Sequence, residues 1–142
     1  MFIQRKHERP NEPRFLLDCR PRNNVTIRNH TPIPNIEELI EFVEPKPFWT
    51  IIDLANCYFN VRIDPDWEQH STFITFRGYF RSRVMQQGDC NAPATMVRVM
   101  HAILKDMVYK DLVIYIDDII IAPRTYEEHL ATVRKVLPRL QD

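Results

Sequence analysis

Two adjacent aspartates, Asp117 and Asp118, stand between Val113-Ile114-Tyr115-Ile116 and Ile119-Ile120-Ile121, and no other feature of the chain narrows its fold as far. Runs so rich in β-branched residues read as strands buried on at least one face. An ionised carboxylate beside such a core is costly unless it is paired. The nearest cationic side chains in sequence are Lys110 and Arg124, neither within four residues of the pair. On a straight strand the two acids would point to opposite faces, whereas a tight hairpin turn between them lets both approach one site. Two readings follow: a solvent-exposed Asp-Asp turn, or hard oxygen ligands for a divalent cation such as Mg²⁺.

Asp53 adds to the second reading. It ends the other strongly apolar run, Phe48-Trp49-Thr50-Ile51-Ile52, which reads as a buried strand. Around these runs the chain carries a strand at Arg14–Cys19 and a breaker at Arg20–Asn24. A helix capped by Asn35 follows, with Ile36, Leu39, Ile40 and Val43 on one face. Further on come a strand at 61–63 and a hairpin through 71–85 that turns at Arg77-Gly78. A helix begins after Asn91, carrying Met96, Val99, Met100, Ile103, Leu104 and Met107. A second helix opens with the capping box Thr125-Tyr126-Glu127-Glu128 and has Leu130, Val133, Leu137 and Leu140 inward. From Phe48 onward, leaving aside 55–90, the order is β-α-β-β-α, an α+β ferredoxin-like split unit whose last strand would follow Asp142. In such a unit the first strand lies beside the central hairpin, which sets Asp53 near Asp117. Three carboxylates at adjoining strand ends are what two-metal phosphoryl transfer requires. No P-loop, dinucleotide fingerprint or HExxH motif competes.

Composition sets the bounds. With 142 residues, 44% apolar and 27% charged, the chain suits one compact domain and is too apolar for default disorder. It has 2 glycines and 11 prolines, so Pro, Asn and Asp must make most turns. No apolar run reaches membrane-spanning length. The segment Gln4-Arg5-Lys6-His7-Glu8-Arg9 is charged where a signal peptide needs an apolar core, so an intracellular protein, in a cytoplasmic particle or the nucleus, is expected. The three cysteines, Cys19, Cys57 and Cys90, lack zinc-ligand spacing and read as reduced thiols. The net charge of zero hides blocks: residues 1–30 carry seven Lys/Arg against three acids, 31–70 two against eight, 71–110 six against two, and 111–142 four against six. Such blocks are either solvated faces or places for a polyanion and a cation side by side.

Several segments carry a resemblance in collinear order. Tyr115-Ile116-Asp117-Asp118 resembles the Tyr-x-Asp-Asp box of reverse transcriptases. Ile52-Asp53-Leu54-Ala55-Asn56-Cys57-Tyr58 resembles their first catalytic-aspartate motif, and Arg14-Phe15-Leu16-Leu17-Asp18-Cys19-Arg20 a strand of their fingers. Gln87-Gly88 with Asn91-Ala92-Pro93 resembles the template and nucleotide grip. The tail Glu127-Glu128-His129-Leu130 resembles the helix that follows in gypsy-like long-terminal-repeat retrotransposons. The resemblance runs from about Phe2 to Gln141.

It implies a partial reverse transcriptase domain over 1–142, with fingers at about 1–47 and 59–90 and palm at about 48–58 and 91–142. It implies that Asp53, Asp117 and Asp118 are the catalytic metal ligands for two Mg²⁺ ions, with Mn²⁺ as a substitute. Arg14, Tyr58 and Gln87 would contact the incoming nucleotide, Tyr58 as the gate against a ribose 2′-hydroxyl, and Lys6 is a candidate γ-phosphate contact. The partners implied are a primed RNA or DNA template and deoxynucleoside triphosphates, with no membrane. Read on the residues alone, the rival readings are an ordinary core aromatic for Tyr58 and a surface strand arginine for Arg14. The chain departs from the gypsy-like pattern at Gln86-Gln87-Gly88-Asp89, where Asp89 adds negative charge near the nucleotide, and at Cys57, where glycine is usual. The reading is an RNA-directed DNA polymerase core, a fragment of a retrotransposon polyprotein with self-association expected through an exposed palm edge. The rival is a non-catalytic relic acting as a nucleic-acid-binding or scaffold protein. An RNA-making palm enzyme fits less well because of Tyr58.

Overall fold

The computed structural model describes residues 2–5, 13–32 and 35–141, and for 2–5 and 13–15 the backbone alone. Along the chain run β1 (Phe2–Arg5), β2 (Pro13–Leu16), the single turn α1 (Arg20–Asn23), α2 (Ile36–Val43), β3 (Thr50–Asp53), β4 (Thr72–Thr75), β5 (Gly78–Arg81), α3 (Ala92–Leu104), β6 (Leu112–Tyr115), β7 (Asp118–Ile121) and α4 (Tyr126–Arg139). Short 3₁₀ helices occupy Cys57–Asn60 and Pro65–Ser71. The length alone suits one compact domain, but the chain forms two compact units, one of Met1–Asn29 with Asn56–Ala92 and one of His30–Ala55 with Pro93–Asp142. Residues 30–47, with α2, therefore belong to the second unit.

The second unit is built on an antiparallel sheet in the order β3-β7-β6. This is the strand arrangement of a split β-α-β-β-α unit, as its element order predicts. Its register stacks four rungs: Thr50–Ile121–Leu112, Ile51–Ile120–Val113, Ile52–Ile119–Ile114 and Asp53–Asp118–Tyr115. Side chains alternate along a strand and share a face across a rung. The first and third rungs therefore form one face, where Leu112, Ile114, Ile119 and Ile121 are buried, as are Met100 and Leu104 of α3 and Val136 of α4. Each such side chain contributes about 1.5–3 kcal/mol of apolar burial. The second and fourth rungs face the other way; there Val113 is buried, Ile120, Tyr115 and Asp118 are half-buried, and Ile51 and Asp53 are exposed.

Three sequence expectations shift in this unit. The run Phe48–Asp53 is not a buried strand: Trp49 is 57% and Ile51 52% exposed, because β3 is the sheet's edge. In α2, capped by Asn35 accepting from the Glu37 N–H, only Leu39 is buried, and Ile36 and Ile40 stay exposed. The capping box of α4 forms as expected, with Thr125 Oγ1 accepting from the Glu128 N–H at 3.2 Å. Its buried stripe, however, is His129, Thr132 and Val136 instead of Leu130 and Leu137, which remain partly exposed. The helix is turned so that His129 Nε2 meets Thr50 Oγ1 at 2.9 Å on the core face of β3.

In the first unit β1 pairs with β2, and β4 with β5, each antiparallel. The β4–β5 loop is Phe76-Arg77, with Gly78 (φ 120°) as the first residue of β5, one position earlier than the Arg77-Gly78 expected. The expected strand at 61–63 is a single bridge, Arg62 to Val84, flanked by Met85 N–H to Val61 O at 2.9 Å.

Candidate active site

Register is what joins the acids. Asp53 closes β3 directly opposite Asp118, the first residue of β7, and the two share one face of the sheet, away from the Leu112–Ile114–Ile119–Ile121 side. Asp117 precedes Asp118 in the loop. The expected turn between the two acids lies one residue earlier: Tyr115 pairs with Asp118, and Ile116-Asp117 is the two-residue connection. Ile116 has φ 59° and Asp117 is not in the left-handed region, so the positive φ falls only at the first central residue. That is the pattern of a type II′ turn, a position that favours glycine. A β-branched residue there holds strain of about 1–2 kcal/mol. The consequence is that Asp117 hangs from the loop while Asp118 projects from the sheet, so neighbouring acids are freed from strict alternation.

Burial, then the neighbouring Asp117 and Asp53 charges, push the Asp118 carboxyl above its ordinary range. Like charges so placed repel each other until a cation or a proton is shared among them. The donor set, all carboxylate oxygen, fits Mg²⁺ or Mn²⁺. Among the described residues no three His, Cys, Asp or Glu side chains are already gathered tightly enough to hold one ion.

Tyr58 and Gln87 belong to the first unit. Tyr58 lies half-buried in the 3₁₀ turn that follows Asn56, itself in the left-handed region at φ 55°. The Arg62–Val84 bridge brings the stretch after Tyr58 beside the stretch before Gln87. Cys57 is buried at 2% exposure, so its thiol is taken up by the interior of the protein. Arg14 stands in β2 opposite Gln4, but its side chain, like the whole of Lys6, lies outside the described residues.

The loop around Gln87 has a support that the sequence did not announce. Arg22 Nη2 pairs with Asp89, so the acid that departs from the family pattern is neutralised by a guanidinium 67 positions away. Asn23 clamps the same loop from both ends, donating to Gly88 O at 2.8 Å and accepting from the Cys90 N–H at 3.0 Å. Asn91 does likewise for the chain opposite, with Ile27 O at 2.9 Å and Asn29 N–H at 2.9 Å. Gly88 packs so close to Cys19 that a Cβ there would come within 3.1 Å of its sulfur. Burial, and next Asp89, push the Cys19 thiol up. The only sequence signal for this bracing was the crowding of Asn and Arg at 20–24, which read as a simple breaker.

Three comparisons bear on this geometry. The sequence profile of the family described as reverse transcriptase (RNA-dependent DNA polymerase) matches residues 4–142. The retrovirus-related Pol polyprotein from transposon 297 of Drosophila melanogaster is 34% identical over 132 residues, which is 93% of this chain and 12% of that polyprotein. An RNA-directed DNA polymerase homolog of Oenothera berteroana is 33% identical over 126 residues, 87% of this chain and 89% of that protein. Among solved structures, the foamy viral protease-reverse transcriptase in complex with RNA/DNA hybrid superposes with a TM-score of 0.83 at 22% identity, over 98% of this chain and 18% of that one. The structural likeness establishes a shared fold.

Proposed function

Because this chain belongs to the reverse transcriptase family, we propose that it is a polymerase core that extends a primer on an RNA or DNA template with deoxynucleoside triphosphates. The observation that carries the reading is the rung that sets Asp53 against Asp118 on one face of the sheet, with Asp117 next to Asp118 in the loop. The sheet unit is then the palm, and the unit with β4–β5 the fingers. Asp53, Asp117 and Asp118 would hold two Mg²⁺ ions, or Mn²⁺ in their place. Bound there, such ions supply a more acidic primer 3′-hydroxyl and neutralise charge on the departing pyrophosphate. The protein's own contribution is position: the core face fixes β7 and the loop, and Asp53 is exposed with Asp117 and Asp118 half-buried, which leaves the acids accessible to a long substrate. Tyr58 serves as the gate against the 2′-hydroxyl, Gln87 as a contact on its braced loop, and Arg14 as a triphosphate contact suited by its planar fork. A template partner is supported by the hybrid-bound foamy viral relative. A gypsy-like retroelement origin is supported by the transposon 297 likeness and the Glu127–Leu130 tail, and an intracellular location is proposed on the charged Gln4–Arg9 segment alone. The exposed β3 edge, with Trp49 and Ile51, suits self-association.

Primer extension with Mg²⁺ or Mn²⁺ tests the reading, comparing the chain with Asp117→Asn. The expected result is incorporation that falls at least about 10²–10³-fold in the variant, the scale of losing one electrostatic stabiliser. Equal and negligible incorporation by both proteins would favour the non-catalytic relic instead.

A further inference from the structure

The β4–β5 hairpin carries an unusual outward face. We propose that this face is a docking surface for single-stranded nucleic acid, held by base stacking on Phe76 and Tyr79 and by Arg77 and Arg81 on phosphates. It deepens the polymerase reading by adding a strand contact remote in sequence from the aspartates, and rests on that reading only for the source of the strand.

Register places Thr72 opposite Arg81 and Ile74 opposite Tyr79, so these four share one face, and all are exposed. Tyr79 is 78% and Ile74 67% exposed, while Phe76 at the loop is 94% exposed. On the opposite face Phe73 and Phe80 stack at 6.0 Å and hold the strands together, so the outward rings are not needed for the hairpin itself. The Arg77 guanidinium lies 5.8 Å from the Phe76 ring centre. Residues 69–88 contain three arginines and no acid. Arg83 is the one of these with an ion pair, to Glu68 at 4.0 Å; Arg77 and Arg81 have none among the described residues. Exposed rings rimmed only by cations complement a polyanion with flat apolar faces. A duplex hides those faces in its own stack, and a single strand offers them. A protein partner would have to supply acids to match Arg77 and Arg81, whereas the phosphates of a single strand alternate with the bases that would stack on the rings.

The experiment is fluorescence anisotropy of a labelled single-stranded oligodeoxynucleotide of about 12 nucleotides, long enough to cover the hairpin face, and of its duplex, over a salt series. Phe76→Ala with Tyr79→Ala should weaken single-strand binding about tenfold or more and leave duplex binding unchanged. Tyr79→Trp with native Phe76 should retain it. Arg77→Gln with Arg81→Gln should reduce the slope of log K against log salt by about 1.4, about 0.7 for each phosphate that is no longer neutralised. Full single-strand affinity in the aromatic double variant, an equal loss for the duplex, or loss of self-association in place of oligonucleotide binding would overturn the proposal. Primer extension on the same variants separates the two readings: extension with hairpin-independent binding refutes this surface alone. Hairpin-dependent binding without extension refutes the polymerase alone.

Discussion

Among the described residues two tight hairpins close on loops of equal length and solve the turn differently. The β6–β7 hairpin runs Tyr115-Ile116-Asp117-Asp118 and places a β-branched residue at φ 59°. The β4–β5 hairpin runs Thr75-Phe76-Arg77-Gly78 and gives its positive φ, 120°, to a glycine. Strands flanking the first are locked in the core, with Leu112, Ile119 and Ile121 at 0% exposure. Those flanking the second stand largely in solvent. Strain persists only where the surroundings over-determine the backbone, so the buried hairpin can hold Ile116 where glycine is preferred, and the surface hairpin cannot. The reward for the strained turn is an Asp117 set off from the face alternation of β7, beside Asp118 and its cross-strand partner Asp53.

The contrast can be broken most forcefully in the core. Ile119→Ala should lower the unfolding free energy by about 2–5 kcal/mol, whereas Tyr79→Ala should change it by no more than about 0.5 kcal/mol. Chemical denaturation of both variants checks this, and comparable losses would mean that the β4–β5 face is packed after all.

A smaller effect separates the two turns. Gly78→Ala should cost about 1–2 kcal/mol from backbone conformation alone, since no atom lies within 4 Å of the added methyl. Ile116→Gly releases a strain of the same size and loses about 0.5–1 kcal/mol to the freedom of glycine. It should therefore fall between neutral and slightly stabilising in the same denaturation experiment. A loss above about 2 kcal/mol would show that packing of the Ile116 side chain, and not backbone strain, governs that turn.

The smallest effect lies at the rim of the sheet unit, where Arg139 of α4 pairs with Asp106 just past α3, Nη2 to Oδ2 at 2.9 Å. The guanidinium holds the Asp106 carboxyl down, from 3.8 to about 2. A lowered folded-state value means that the pair stabilises above pH 3.8 and that its contribution disappears as pH falls through about 2. Asp106→Asn should therefore have a slightly lower denaturation midpoint than the native chain above about pH 4, and the two should converge near pH 2. Curves that stay parallel down to pH 2 would assign the difference to something other than this ion pair.

The local signals in the sequence determined a good deal. Asn35 and the Thr125–Glu128 box start their helices because a cap bonds residues two or three positions away. The runs at 50–53, 112–115 and 118–121 are strands because β-branched residues cluster there, and their order alone predicts the β3-β7-β6 arrangement. Asp53, Asp117 and Asp118 were legible as a candidate site because acids at the ends of apolar runs need compensation. What only the tertiary structure decided depends on partners far along the chain. Periodicity defines a stripe on α4 but not what it meets, and Thr50, 79 positions away, turns His129 inward in place of Leu130. Hydrophobicity marks 48–53 as a strand but cannot say that β3 is the edge strand of its sheet among the described residues, with Trp49 and Ile51 exposed. Nothing near Asp89 foretells Arg22, because an ion pair across 67 positions is specified by the packing of two segments and not by the composition of either. Alternation likewise fixes which residues share a face within one strand, while the rung that sets Asp53 against Asp118 is chosen by the burial of Ile119 and Ile114, with Ile52 half-buried beside them, one rung below. A slip of one residue would turn every one of those side chains to the other face.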